Sequence, residues 1–242
     1  MKVIRNAAVS FLEGNKTSGS SVAEEAVKLV VAKTAKYGIG LVGIRNLLPF
    51  SHPGTYAKQI AEQDFIGIVI IDGGRAKVAP SGSREPVIGT NPIAFGIPAV
   101  KGSWVVDMAT SKHAWNIVRR ALENNTKLPA DVYQDRLGKF TTDPKKAFSV
   151  VPFGDYKGFA LGLLVEILCG GLLNMEMGKT KKSDVPSKTL RGSMFIAIDI
   201  KQFVPIAKFK TSVTKLLREV KSAKRKARVR HIRLPGDSSL NI

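Results

Sequence analysis

The stretch REPVIGTNPIAFGIPAVKGSWVVDMATS, residues 84–111, decides the fold prediction. Its GTNP segment (89–92) is small and polar and lies between two apolar runs, a composition typical of a tight turn at a pocket wall. Residues 93–98 and 103–106 are predicted to be strands, and the second leads directly into residues 107–111, which we expect to open a helix. Polar groups between a strand and a new helix N-terminus often bind anions in α/β proteins. An ordinary connection with a Ser/Thr helix cap would have the same composition.

Composition indicates a globular protein with an unusual charge. The 242 residues are 44% hydrophobic, carry a net charge of +19 and have a pI near 10.1. Residues 201–242 contain twelve Lys or Arg and two acids. Such a surface attracts polyanions, including nucleic acid, and small anions such as dinucleotides and dicarboxylates. No apolar run approaches the ~20 residues of a membrane span, and the N-terminus has no signal-peptide pattern, so we expect a cytoplasmic location and no membrane partner.

Strands and helices are predicted to alternate along the chain. The pattern gives a strand within 2–12, a helix from 22 that starts at a Ser21/Glu24 capping box and stops at Gly38, a strand at 39–44, a helix at 54–63 and a strand at 65–71. Further elements are a short helix starting at 142–144, a helix at 156–173 buried on every side, a strand at 194–200 and an amphipathic helix at 206–220. This order predicts an α/β fold with a mostly parallel or mixed sheet flanked by helices. We expect one domain over 1–242, with a basic C-terminal helix and tail at about 205–242.

Several motifs together resemble one family. GTNPIAFGIP (89–98) followed by VVDMATS (105–111) is similar to the signature of the malate/L-lactate dehydrogenase family, which includes sulfolactate and ureidoglycolate dehydrogenases. The resemblance continues through GIGLV (38–42), TTDP (141–144), YKGF (156–159) and LPGD (234–237). It implies a non-Rossmann NAD(P)-binding fold, a homodimer, and interconversion of a small 2-hydroxy acid and its 2-oxo acid with NAD or NADP.

The resemblance also implies roles for individual residues. It puts Thr90 at the substrate or nicotinamide end, and Lys157 beside a cofactor phosphate or the substrate carboxylate. Each has a plainer alternative, because Thr90 suits a turn, Asp107 a helix cap, Lys157 a solvated first-turn charge, and Arg233 a basic tail. The other implied cofactor-binding residues are Asp107, Met108 and Ala109 along the cofactor, Gly158 where the backbone approaches it, and Arg233, Pro235 and Gly236 closing over it.

The residues that would supply acid–base chemistry match the family pattern less well than the motifs on the cofactor side. Reduction of a 2-oxo acid needs a proton donor, and histidine suits it because its unperturbed pKa is about 6.5. Family members carry an Asn-Ser-x-His-Phe-Gly loop whose histidine contacts the reactive centre; here Pro49 takes its place, and His52 follows three residues later. The family's upstream Ser-His-Gly segment precedes the point where this chain begins to match, and residues 115–117 replace an Arg-Gly-Lys triplet. His52 is the catalytic candidate, although a loop histidine without a chemical role would look the same.

Three functional hypotheses follow. The first is an NAD(P)-dependent oxidoreductase of small 2-hydroxy acids. The second is a shortened, catalytically impaired relative that keeps the fold and dinucleotide binding. The third is a basic polyanion-binding protein, which is less favoured because the tail lacks aromatic side chains for base stacking. The three histidines are too far apart in sequence to predict a metal site.

Overall fold

The computed structural model describes residues 3–15, 17–50, 52–181 and 189–237. Short 3₁₀ helices lie at Gly171–Leu173, Gly178–Thr180 and Ile200–Gln202. The strands are β1 (Val3–Asn6), β2 (Val9–Glu13), β3 (Ile39–Leu47), β4 (Phe65–Ile71), β5 (Ile93–Pro98), β6 (Ser103–Met108), β7 (Tyr133–Gln134), β8 (Ser149–Val150) and β9 (Arg191–Asp199). The helices are α1 (Gly19–Tyr37), α2 (Pro53–Ala61), α3 (Asn116–Glu123), α4 (Tyr156–Cys169) and α5 (Ile206–Ser222).

Seven strands form one mixed sheet in the order β1-β2-β3-β9-β4-β5-β6. The expected α/β fold with a mixed sheet flanked by helices is confirmed, and β4, β5 and β9 share the sheet as predicted. The mostly parallel form of that prediction is wrong, since β2–β3 is the one parallel pair among the described strands. The reason is that β9, from late in the chain, inserts antiparallel between β3 and β4, and β4 to β6 follow one another as a meander.

Helices cover both faces of the sheet. Alternate residues of one strand point to opposite faces, and β4 shows this clearly. Val69 packs in the core formed with α1 and α2, whereas Ile70 packs with Val165 and Cys169 of α4. Helix α2 lies so close to β5 that a Cβ on Gly96 would be 2.0 Å from the carbonyl oxygen of Ala57. This contact requires a glycine at that strand position.

Two predicted helix starts are wrong. Helix α1 begins at Gly19, so Ser21 and Glu24 lie inside it and form no capping box. Residues 142–144 form no helix; Asp143 instead accepts a hydrogen bond from the amide of Lys145 in a turn. The predicted stop is confirmed, because Gly38 adopts a left-handed conformation (φ 79°) and donates its N–H to the carbonyl of Thr34.

The helix expected at 107–111 is also absent. Strand β6 continues through Asp107 to Met108, and α3 begins only at Asn116. The helix N-terminus that we expected here therefore does not exist. Asp107 is a strand residue that pairs with Ala94 of β5.

Helix α4 is buried on one side only, which corrects the prediction of burial all round. Gly158, Gly162, Val165, Glu166 and Cys169 are buried, and burial raises the pKa of the Cys169 thiol. The opposite side exposes an apolar surface, the α4 outer face, in which Leu164 is 54% and Ile167 48% exposed. The other members of this face are Leu163, Leu168 and Leu172. The residues 156–173 are long and apolar enough to cross a membrane by composition alone, but 39% of them are buried against the rest of the chain.

Helix α5 packs more loosely than the other helices. None of its residues is buried, and its apolar stripe is only partly covered: Phe209 and Val213 are half-buried, whereas Leu216 and Val220 are exposed. Thr214 accepts a hydrogen bond from the amide of Val100, and Lys210 forms an ion pair with Asp64. The amphipathic helix is thus confirmed, while the single domain over 1–242 stays a prediction.

Candidate active site

Three chain segments meet at Thr110, a buried residue of the DMATS motif. Its amide and hydroxyl donate to the carbonyl oxygen of Thr90 at 2.9 and 3.1 Å. Its own carbonyl accepts from the amide of Phe153 at 3.2 Å. A Cβ on Gly158 would lie 2.7 Å from that same carbonyl oxygen. The structure therefore brings Thr90, Ala109 and Gly158 together, and Thr110, which sequence reasoning did not single out, joins them.

Asp107 links this junction to the loop that carries His52. Its Oδ2 accepts a hydrogen bond of 2.9 Å from the amide of Gly54, the second residue of α2. Asp107 thus binds the N-terminus of a distant helix and does not cap one of its own. Burial raises the pKa of Asp107, although the Gly54 hydrogen bond and the charge of nearby His52 act in the opposite direction. His52 itself is exposed and has a left-handed backbone (φ 55°) immediately before α2.

Lys157 is the second residue of α4 and is exposed. A cation in the first turn of a helix is disfavoured by the helix dipole, whereas an anion there is stabilised. A bound anion would therefore be attracted both by the N-terminus of α4 and by the Lys157 ammonium. The turn before the helix is tight, because Gly158 donates to the carbonyl of Phe153 at 2.9 Å.

A cleft of about 500 Å³ opens beside this helix N-terminus. Gly154 and Asp155 form one wall, and Lys112 and Pro152 lie nearby. Cavities of about 300–1,000 Å³ are the usual size of small-molecule sites. The cleft therefore gives a ligand room next to the α4 N-terminus.

The three C-terminal candidates lie elsewhere on the sheet. The carbonyl of Pro235 accepts a 2.9 Å hydrogen bond from the indole of Trp104, Gly236 has a φ of 91°, and Arg233 is exposed. Trp104 precedes Met108 by four strand residues, or ~13 Å at ~3.3 Å per residue. Met108, at the far end of β6, is exposed beside the Thr110 junction. The described structure therefore places Arg233, Pro235 and Gly236 at the other end of β6, and their roles stay predictions.

Asn91 of the GTNP motif is fully buried and holds the motif in place. Its Oδ1 accepts from the amide of Gly73 at 2.7 Å. Its Nδ2 donates to the carbonyl of Gly162 at 2.8 Å and to Glu166 Oε2 at 2.7 Å. One side chain thus connects the end of β4, the turn before β5 and the middle of α4.

Behind Asn91 lies a cluster of buried charges, which we call the buried ionic cluster: Asp72, Glu166 and Lys181. Lys181 Nζ is 2.7 Å from Asp72 Oδ1 and also contacts Glu166 Oε1, and the Lys181 side chain is 3% exposed. Burial raises the pKa of Asp72, while Lys181 opposes that rise. The guanidinium of Arg191 lies close by, where burial lowers its pKa and the Asp72 charge opposes the change. Sequence reasoning missed this cluster, although an acid within the apolar 156–173 segment was a usable signal.

The fold is that of a non-Rossmann α/β dehydrogenase. The malate/L-lactate dehydrogenase family model matches residues 1–242, and the chain belongs to that family. It is 37% identical over 233 residues to a malate/(S)-sulfolactate dehydrogenase of Methanothermus fervidus, covering 95% of this chain and 67% of that protein.

Solved structures give the same result. The sulfolactate dehydrogenase of Methanocaldococcus jannaschii superposes with a TM-score of 0.86 at 33% identity, covering 98% of this chain and 69% of that one. The malate dehydrogenase of Entamoeba histolytica gives a TM-score of 0.92 at 25% identity, with coverage of 99% and 71%. The family resemblance predicted from the motifs is therefore confirmed.

The buried ionic cluster gives a stability prediction. Lys181→Met removes the one cation of the described residues that lies within ion-pair distance of both Asp72 and Glu166, and breaking a buried ion pair typically costs about 3–5 kcal/mol. Burial already raises the pKa of Asp72, and loss of the opposing Lys181 charge should raise this folded-state pKa further above its unfolded value. This raised pKa favours the folded protein at low pH, and the free energy of unfolding falls as the pH rises through the raised pKa. The free energy of unfolding from urea titration should therefore fall more at pH 7 than at pH 4.5.

The matched control is Lys179→Met, at a lysine two residues before Lys181. It removes an exposed ion pair with Glu85. Exposed pairs contribute about 0–1 kcal/mol. A Lys181→Met protein that is no less stable than Lys179→Met would contradict the role of the cluster.

Proposed function

We propose that this chain is an NAD(P)-dependent oxidoreductase that interconverts a small 2-hydroxy acid and its 2-oxo acid. The observation that carries this proposal is the meeting of Thr90, Ala109 and Gly158 at Thr110, with Asp107 joining the His52 loop to the same region. Its relatives are named for malate and sulfolactate, which are both small hydroxy acids with two acidic groups. Substrates of that kind match the net charge of +19.

The residues around Thr110 fit a dinucleotide. The exposed ammonium of Lys157 and the dipole of α4 both favour a phosphate or carboxylate at the helix N-terminus. The neighbouring cleft, which Asp131 and Asp155 line, leaves room for an uncharged part of the ligand. A side chain on Gly158 would collide with the backbone of Phe153 and Thr110. When bound, the nicotinamide supplies the hydride. In this proposal the cofactor is held by Thr90, Asp107, Met108, Ala109, Lys157 and Gly158. Another part of it is covered by Arg233, Pro235 and Gly236.

His52 is the proposed proton donor. It is exposed, immediately precedes α2, and lies close enough to Asp107 to influence the pKa of that carboxyl. The Gly54 hydrogen bond fixes the Asp107 carboxylate, and Pro53 begins the helix, so the loop is held at both points.

The alternative is an impaired relative that binds the cofactor without turnover. The presence of Pro49 where the family has a histidine favours it, because proline has no proton to give. Cofactor binding without reduction of any small 2-oxo acid would identify this case. Titrating the chain with NAD(H) and with NADP(H) separately decides which of the two cofactors it binds.

We also propose a homodimer in the cytoplasm. The α4 outer face supports the dimer, because contiguous exposed apolar side chains mark an association surface. A twofold dimer would bring two copies of the same face together.

Cofactor binding tests the role of Lys157. Removing one charge-assisted phosphate contact typically costs about 1.5–3 kcal/mol, or roughly ten- to a hundredfold in affinity. Lys157→Ala should weaken binding of NAD(H) or NADP(H) by that factor in fluorescence or calorimetric titrations. Lys145→Ala, at another exposed lysine, should bind normally. Unchanged binding by Lys157→Ala would remove this residue from the site.

Turnover tests the role of His52. A positioned acid contributes typically 10²–10⁴-fold to the rate. His52→Ala should lower kcat for reduction of a small 2-oxo acid at least about a hundredfold, with cofactor affinity retained. His231→Ala, at an exposed tail residue, is the control and should keep the wild-type rate. A fully active His52→Ala enzyme would contradict the assignment and direct the search for the proton donor to Lys157.

Association tests the α4 outer face. Sedimentation at micromolar protein should show a dimer or larger assembly, and a Leu164→Asp, Ile167→Asp double variant should sediment as a monomer. Leu137→Asp places the charge at another leucine that is 65% exposed, and should leave the assembly intact. A monodisperse wild-type monomer would argue against the dimer.

A further inference from the structure

The outer side of α5 and the turn after it carry six cations and one exposed acid, Glu219, and we call the six cations the basic face. It consists of Lys208, Lys215 and Arg218 on the helix and Lys224, Lys226 and Arg228 on the turn, and all six are exposed. None of them lies within 4 Å of a carboxylate belonging to residues 3–15, 17–50, 52–181 or 189–237. Other exposed lysines, such as Lys58 and Lys179, do have an acidic partner. These six cations are therefore available to an external anion.

The turn that carries half of this face is held in a defined shape. Arg225 Nη1 donates to the carbonyl of Arg230 at 2.6 Å, and Arg228 adopts a left-handed backbone (φ 65°). Lys221 Nζ lies 3.1 Å from Asp237 Oδ2, which also accepts from the amide of Leu234 at 2.8 Å. The indole of Trp104 then binds the carbonyl of Pro235. These contacts tie the chain after α5 to the helix end and to the sheet, and the exposed cations project from it.

The orientation of the side chains around α5 distinguishes between two kinds of anionic partner, a lipid bilayer and a nucleic acid. At 3.6 residues per turn, Lys208 and Lys215 lie on the side of α5 opposite to the half-buried Phe209 and Val213. A helix that binds a bilayer needs apolar side chains directed at the acyl region beside its cations. Phe209 and Val213 are half-buried against the protein, whereas Leu216 is 57% and Val220 41% exposed. These two exposed side chains lie about 80–140° around the helix from Lys208 and Lys215, so the lysine side of α5 itself presents charge without apolar side chains.

The basic face is too long for one small ligand to contact all of its cations. Lys208 and Arg218 are ten residues apart on α5, a distance of about 15 Å at about 1.5 Å per residue. A dinucleotide has two or three clustered phosphates, whereas a nucleic-acid duplex presents one phosphate per about 1.7 Å of axis. The face also has no aromatic side chain on which unpaired bases could stack. A regular row of backbone phosphates matches these features.

We propose that the basic face binds the phosphate backbone of a nucleic-acid duplex without sequence specificity. Lysine and arginine contact the phosphates and release condensed counterions, which makes the affinity depend steeply on salt. The surface lies on α5 and its following turn, and it uses none of the residues assigned to the cofactor or to catalysis. It would therefore add a second function to the chain.

Fluorescence anisotropy with the full chain and a labelled random-sequence DNA duplex tests this directly. The logarithm of the binding constant should fall linearly with the logarithm of salt concentration, with a contribution of about 0.9 to the slope for each phosphate contact. Replacing all six cations of the basic face by glutamine should weaken binding at low salt at least about tenfold and reduce the slope by up to about 5.

The control removes the same charge elsewhere. Its six exposed lysines, changed to glutamine, are Lys28, Lys101, Lys127, Lys139, Lys145 and Lys146. This variant should bind the duplex within about threefold of wild type and keep the salt slope. Equal losses in both variants would mean that net charge alone attracts DNA. Absence of duplex binding at 50 mM salt, or tighter binding to phosphatidylserine vesicles than to the duplex, would also overturn the proposal.

Discussion

The contact between Lys181 and the carboxylates of Asp72 and Glu166 is the constraint on which the candidate site depends. Both acids are almost completely buried, so each requires a cation and hydrogen bonds to offset the loss of water. These partners come from the end of β4, the middle of α4 and residues 178–181, which are far apart in sequence. Asn91 joins the same group through Glu166. Because a partly satisfied buried network is costly, these segments have to reach their places together.

This constraint reaches the ligand-facing residues through the backbone. The two ends of the Asn91 side chain fix the turn at 89–92, and the Thr90 carbonyl in that turn accepts both donors of Thr110. Thr110 in turn holds Phe153 and the first residues of α4. Thr90, Ala109 and Gly158 are therefore positioned by rigid elements beneath them. The proposed dinucleotide site, if built on these residues, would lose little conformational freedom on binding, which favours affinity.

Local patterns predicted local structure well and long-range pairing poorly. Strand β4 and the Gly38 stop were predicted correctly, because a β-branched run and a left-handed glycine act within a few residues. The insertion of β9 between β3 and β4 left no such signal, so the prediction left a mostly parallel and a mixed sheet both open. Helix α4 shows the same limit. Its apolar composition is the same whether a side of the helix is buried within this chain or exposed at its surface, so the sequence did not reveal the exposed α4 outer face. Lys181 lies in a lysine-rich segment in which nothing marks one lysine as buried.

The two anion-attracting regions differ in how strongly salt should affect them. At physiological ionic strength the Debye length is about 8 Å, so exposed cations such as those of the basic face are screened efficiently. At the candidate site, a helix N-terminus and Lys157 act together on one anion beside a cleft, so a ligand there makes directed contacts in addition to its charge attraction. Dinucleotide binding should therefore persist at salt concentrations that release a duplex. The large positive charge of the chain can then serve both regions, because the geometry around each one, and not the charge itself, selects its ligand.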